Sequence, residues 1–349
     1  MSTTLLASPA LRGESPGLWT LAWRRFQRDR LGVFSLAVVA LFLALALASA
    51  SGLIANDWGL EVGVSYTPPS FAGPDEPVTG GSGTVGSGAA TEPQEPSSIV
   101  DPLAEDLAQL REELAGTSGA SARAPTLPLG GDKWGRDVLW KVVKGTETSL
   151  LVGLAAAALA TFLGTLFGAQ AGYFGGRIDD FFNWLYSVFT SIPYLLLILA
   201  VAAVLNQKGT TTVVLILGLT GWTGIFRLVR AEYLKHKVRE YVQAADAVGA
   251  SDARRMFVHI LPNVSHVVLV QMSLHVVLFI KSEVILSFLG FGVGVETVSW
   301  GSMLNEAQSE LLLGKWWQLA AATAAMATLI TAFSLCTDAV RDALDPRIK

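Results

Sequence analysis

Two charges stand inside an apolar run of this sequence: Lys281 and Glu283, between His266 and Leu289. A charge at the centre of a bilayer costs about 2.5–3.5 kcal/mol on insertion scales, so such residues face a bundle interior or water rather than lipid. Being two apart, they project about 200° from one another around a helix and do not pair. Glu283 either lines a path through the membrane or ties to a neighbouring helix, and both readings stay open. Lys281 joins it as a candidate residue of that path. The remaining chemistry-bearing types lead elsewhere. His236, His259, His266 and His275 lack any metal-ligand spacing such as H-E-x-x-H, so no metal site is expected. Cys336 is the single cysteine and lies in an apolar run, where it reads as a small buried hydrophobe. No Ser/His/Asp or paired-carboxylate constellation stands out, so no catalytic residue is assigned. A G-x-x-x-x-G-K-[ST] run, the loop that cradles nucleotide phosphates, is missing from the sequence. The chain itself is therefore expected to bind no cofactor. Any work it does must draw on another polypeptide or on an ion gradient.

The elements that must position these residues centre on a charged stretch, Glu240 to Asn263, EYVQAADAVGASDARRMFVHILPN. The pattern predicts two short helices. The first covers about Ala231 to Val248 and stops at Gly249, which takes the left-handed conformation that ends helices. Ser251 is an N-cap for the second, with Asp252 in its first turn. Ala253, Met256, Phe257, Ile260 and Leu261 recur at helical spacing and form one apolar face. Pro262 disfavours helix at Leu261 and is expected to close the unit. The product is a helix–Gly–helix knuckle outside the membrane.

Composition explains why a knuckle of this kind sits between bilayer segments. The chain has 349 residues, 51% hydrophobic and 15% charged, with mean hydropathy +0.47, which excludes an ordinary soluble domain. Residues 1–30 are polar and carry five arginines. Residues 31–55 hold a first apolar run of about 20 residues, long enough to span a hydrocarbon core, and it reads as an uncleaved anchor. Residues 56–130 are an extracytoplasmic loop of Gly, Ser, Pro and acids, with a flexible coil over Gly80–Thr91 and a leucine stripe at Leu103, Leu107, Leu110 and Leu114. Asp132–Gly145 is amphipathic, and its Trp134, Trp140, Lys141 and Lys144 suit a helix lying among headgroups. Residues 131–349 add five spans: Ser149–Tyr173, Phe181–Leu205, Thr211–Leu228, His266–Leu289 and about Trp317–Leu335. Gly164, Gly168 and Gly172, at four-residue spacing, predict close helix packing within the bundle. Pro193 predicts a kink in the third span. The expected fold class is an all-α membrane protein of six transmembrane helices. With the N-terminus inside, sixteen of the 25 Lys and Arg fall on inside segments and eight outside, so both termini and the knuckle are expected in the cytoplasm.

Gln243-Ala244-Ala245, followed by Gly249 and Ile260-Leu261-Pro262, resembles the EAA loop of ABC importer permeases, with Gln243 in place of the usual Glu. The segments WRRFQRDRLGVFSL, GRDVLWKVVKGTETSLLVGL, AGYFGGRIDD, LSFLGFGV, SWGSML and RDALDPR are similar to the C-type permease subunit of bacterial dipeptide/oligopeptide ABC importers. The resemblance covers nearly the whole chain except about residues 56–128; Thr223 stands where the family often has Pro.

It implies the type I, MetI-like permease fold in a bacterial inner membrane, with residues 231–263 as a coupling loop. Glu240, Gln243, Ala244, Ala245, Gly249, Arg254, Ile260, Leu261 and Pro262 would then couple to the ATPase. The implied partners are a homologous second permease, two cytoplasmic ABC ATPases that hold the ATP, an extracytoplasmic solute-binding protein and a peptide substrate. No nucleic-acid partner is expected. Two alternatives are the same machine carrying nickel or another small solute, and a secondary transporter that uses no ATPase.

Overall fold

The computed structural model describes residues 23–73, 123–294 and 296–344. The expectations for Gly80–Thr91 and for the leucine stripe of residues 103–114 lie outside the described residues. Helices dominate: α1 (Arg30–Ala50), α2 (Val138–Phe174), α3 (Gly176–Thr190), α4 (Tyr194–Leu205), α5 (Thr210–Thr220), α6 (Thr223–His236), α7 (Glu240–Ala247), α8 (Asp252–Phe288), α9 (Trp300–Leu312) and α10 (Trp317–Leu344). Among the described residues, five helical stretches are long and apolar enough to cross a membrane, taking α5 and α6 together as Thr210–His236. The pair α3 and α4, bent by 86°, meets the same length and apolarity when taken together, and counts as a sixth crossing if the two helices form one span. These five stretches and the bent pair fall where the six spans were expected, most of them extending beyond the expected bounds.

Local chemistry sets those boundaries. Asp29 and Asp137 are N-caps whose carboxylates accept from the Leu31 and Leu139 amides. Pro193, with an extended backbone, starts α4 and lacks the N–H that would continue α3. The expected kink is therefore a full break. The predicted headgroup helix over Asp132–Gly145 does not form. Residues 132–137 are turn and extended backbone, and from Val138 onward the chain is already α2, 37 residues long. The reason is Lys141. Its Nζ donates to Asp132 Oδ2 at 2.8 Å, Glu306 Oε2 at 2.7 Å and Gln318 Oε1 at 3.2 Å, and its side chain is 1% exposed. A buried carboxylate on the turn and a half-buried one on α9 claim the ammonium that lipid headgroups would have taken.

Packing follows small residues. The predicted glycine ladder lies on α2, facing α6. A Cβ at Gly164 would meet the Trp222 carbonyl oxygen at 2.7 Å, at Gly168 that of Phe226 at 2.8 Å, and at Gly172 that of Arg230 at 2.6 Å. The two helix backbones touch because three side chains are missing. The main core then joins α2, α5, α8, α9 and α10, with Trp300 fully buried and its Nε1 donating to the Val142 carbonyl at 3.2 Å. At one end of the bundle residues 61–69 pair with 124–137 through isolated bridges; this is the long-loop end. The opposite end carries α7 and the start of α8.

Two outcomes test this packing. Gly168→Val should destabilise the detergent-solubilised protein by about 1–3 kcal/mol, as overpacking does, seen as a lower melting temperature. Glu310 on α9 is fully buried beside Lys141, and burial, outweighing the pull of Lys141, pushes its carboxyl up to about 7. A carboxyl raised above its unfolded value of 4.5 binds more protons folded than unfolded, so stability should fall as pH rises from 4.5 through about 7. Glu310→Gln should flatten that part of the thermal-stability profile, a change of at most about 3 kcal/mol.

Candidate functional site

The knuckle forms at the end of the bundle where α2 and α6 finish. Its first helix is shorter than the sequence suggests. α6 stops at His236, residues 237–239 turn, and α7 runs only from Glu240 to Ala247. A straight helix would carry Val242 away from the protein. The turn instead buries Val242 in a cluster with Tyr233, Met256 and Ile260, and leaves Ala245 8% exposed. Tyr233 Oη donates to the Met256 carbonyl at 3.0 Å and ties α6 to the second helix.

The Gly249 turn is as expected. Gly249 has φ +80° and donates to the Asp246 carbonyl, while the Ala250 amide reaches the Ala245 carbonyl, the paired bonds of a Schellman stop. Ser251 caps the next helix by accepting from the Arg254 amide at 3.4 Å. The helix does not end at Pro262. Residues Arg255–Ile260 form a π-turn, and α-helix resumes at Leu261 and continues to Phe288. The wider turn, with the Leu261 amide donating five residues back to Met256, makes room for the proline ring and its missing N–H. Of the expected apolar face, Met256 and Ile260 are buried, whereas Ala253 and Phe257 are exposed.

The nine candidate coupling residues thus divide. Glu240, Gln243, Ala244, Gly249, Arg254 and Pro262 are exposed, Ala245 and Ile260 are buried, and Leu261 is half-buried. Val248, at the tip, is 86% exposed. A clasp unrecognised in the sequence holds the two short helices together. Arg255 forms ion pairs with Asp246 on α7 and, at 2.5 Å, with Asp252 on α8. Tyr173, at the end of α2, donates its hydroxyl to Asp252 Oδ1 at 2.8 Å, and Lys237 Nζ donates to the Tyr173 carbonyl at 3.3 Å. The Asp252–Arg255 spacing of three was a local signal for half of this clasp; Tyr173, 79 residues from Asp252, had none. Next to it, Asp179 on α3 takes Arg230 of α6 in a two-pronged pair at 2.5 and 2.6 Å.

Within the bundle, Glu283 is fully buried. Its carboxylate accepts from Ser149 Oγ on α2 at 3.0 Å and from Ser287 Oγ at 2.7 Å. Ser149 Oγ in turn accepts from the Trp300 amide at 3.3 Å. Glu283 therefore ties three elements together. Lys281 lies on the exposed face of α8 and does not pair with it.

Residues 160–349, which hold the knuckle, Glu283 and α10, match the family model described as binding-protein-dependent transport system inner membrane component. The chain belongs to that family. Residues 17–69 also match the N-terminal transmembrane domain of oligopeptide transport permease C. Among its relatives is the dipeptide transport system permease protein DppC of Bacillus subtilis, 38% identical over 63% of this chain and 69% of that protein. The oligopeptide transport system permease protein OppC of the same organism is 34% identical over 63% and 72%. The DppC of Lactococcus lactis is 28% identical over 99% of this chain and 94% of its own length.

Replacing Arg255 with Met keeps the apolar stem but removes both ion pairs. Hydrogen–deuterium exchange of the α7 amides should then speed up several-fold, while the amides of α2 near Gly168 stay protected. Loss of global stability should be modest, about 1 kcal/mol, because both carboxylates are largely exposed.

Proposed function

We propose that this chain is the permease subunit of an ATP-driven, binding-protein-dependent importer of di- or oligopeptides. The observation that carries this reading is the knuckle: an exposed, internally clasped helix pair in the register of the EAA loop. Peptide cargo is supported by the relatives, whose names are dipeptide and oligopeptide permeases. A homologous second permease would complete the path, two cytoplasmic ATPases would bind the ATP, and an extracytoplasmic solute-binding protein would deliver cargo.

In this reading both termini are cytoplasmic and the knuckle faces the ATPases, in keeping with the excess of Lys and Arg on that side. Val248 and the exposed face of Gln243 and Ala244 would enter a groove on the ATPase, while buried Ala245 and Ile260 keep the knuckle in shape. Arg255 and Tyr173 would pass the displacement to α2. Switching a two-state transporter from 1:99 to 99:1 takes about 5.5 kcal/mol of differential binding, so the docked contact must be rigid enough to transmit it. Glu283 acts as a pin among α2, α8 and the start of α9, and Lys281, exposed on α8, is kept as a candidate residue of the translocation path.

Reconstitution with the partner ATPases tests the assignment. Gly249 needs φ +80°, which Trp does not readily adopt, and Ala245 is buried, so a carboxylate there would be desolvated. Gly249→Trp and Ala245→Glu should each abolish ATPase association or uncouple ATP hydrolysis from uptake, with membrane insertion unchanged. Normal association and coupling in both variants would remove the knuckle from the mechanism.

A further inference from the structure

At the long-loop end a cavity of about 270 Å³ opens between the start of α2, the α4–α5 connection and the segment joining α8 to α9. Arg136 lines it, together with Trp58, Trp134 and Lys208. The Arg136 guanidinium carbon sits 4.6 Å from the Trp134 ring centre and 5.5 Å from that of Trp58. The backbone beneath is fixed: the Arg136 amide donates to Asp132 Oδ1 at 2.9 Å, and its carbonyl accepts from the Asp132 amide at 3.0 Å. Asp132 does not neutralise it, because its second oxygen is held by Lys141. Glu306, also on the cavity wall, is likewise engaged by Lys141 and Gln318. Among the described residues no carboxylate pairs with Arg136, and its buried Nε has no hydrogen-bond partner.

A guanidinium flanked by indole faces keeps its donor-bearing edge free, and that edge matches a carboxylate in a forked geometry. The unpartnered Nε and the place of Arg136 in the cavity lining suit an anion. Lys208 adds a second positive charge to the same wall. The volume lies just under the usual range for a whole drug-sized ligand, so it suits the end of a chain rather than an entire oligopeptide.

We propose that this cavity binds a free carboxylate, the C-terminal carboxylate of a peptide, with Arg136 as its principal partner and Lys208 as an accessory charge. The identity of the carboxylate's owner rests on the peptide-permease reading; the carboxylate site itself does not.

The test uses the assembled transporter in nanodiscs, without the solute-binding protein, titrated calorimetrically with trialanine and with its C-terminal amide. The free acid should bind and the amide should bind about ten-fold more weakly, the loss of a charged hydrogen bond. Arg136→Gln should weaken the acid to the level of the amide and leave the amide unchanged. Arg136→Lys should restore part of the difference, and Lys208→Gln should reduce it. In proteoliposomes with the solute-binding protein, Arg136→Gln should raise KM for the free acid with kcat retained. If Arg136→Gln fails to assemble, Arg136→Lys and Lys208→Gln carry the same comparison. An acid-to-amide ratio equal in all chains, or equal weakening of both ligands, would overturn the carboxylate site. Wild-type transporter that binds the acid in an Arg136-dependent way but imports no peptide would leave the site standing and sink the peptide-import reading.

Discussion

The fold depends on two helices being allowed to touch. Gly164, Gly168 and Gly172 give α2 a bare strip against which the α6 backbone lies, and any added side chain would strike carbonyl oxygens. In a bilayer, apolar side chains gain little by leaving lipid for another helix, so close packing of this kind supplies much of the association. The strip also fixes function-bearing geometry. Tyr173 follows Gly172 directly, and Lys237 follows α6, so the seam between the two helices delivers both residues to the knuckle.

Charge inside the bundle is handled by matching. Lys141 is almost wholly buried, yet it has three oxygen partners contributed by a turn, by α9 and by α10. Removing any one would leave a buried charge poorly compensated, which costs far more than the pair is worth in water. Glu283 forms no ion pair among the described residues and is satisfied by serine hydroxyls instead. Arg136 departs from this economy: it is pinned and stacked, but among the described residues no carboxylate pairs with it. That contrast is what singles it out.

Much of this was legible along the chain. Run lengths gave the five stretches and the bent pair, and Gly249 with Ser251 gave the turn in the knuckle, because capping is governed by residues within one helical turn. Pro193 marked a discontinuity for the same local reason. Pro262 misled, since its effect depends on whether the preceding turn can widen, and the π-turn at Arg255–Ile260 did so. Lys141 misled because its partners, Asp132 and Glu306, lie nine and 165 residues away. An amphipathic pattern reports that a lysine seeks something polar, not whether that is a headgroup or a buried carboxylate. The break at 237–239 was equally hidden, for it is driven by burial of Val242 rather than by any helix-breaking residue.

Because helix continues through Pro262, α8 runs unbroken in sequence from Asp252 to Phe288, widened by the π-turn at Arg255–Ile260, and is about 55 Å long at 1.5 Å per residue. One tip carries the Arg255 clasp; the other carries Ser287, on the floor of the Arg136 cavity. A rod of that length tilted by about 10° sweeps its far tip through about 10 Å, several times the width of a hydrogen bond. A displacement at one tip of such a helix would become lever travel at the other, with the π-turn at Arg255–Ile260 lying close to the clasp end.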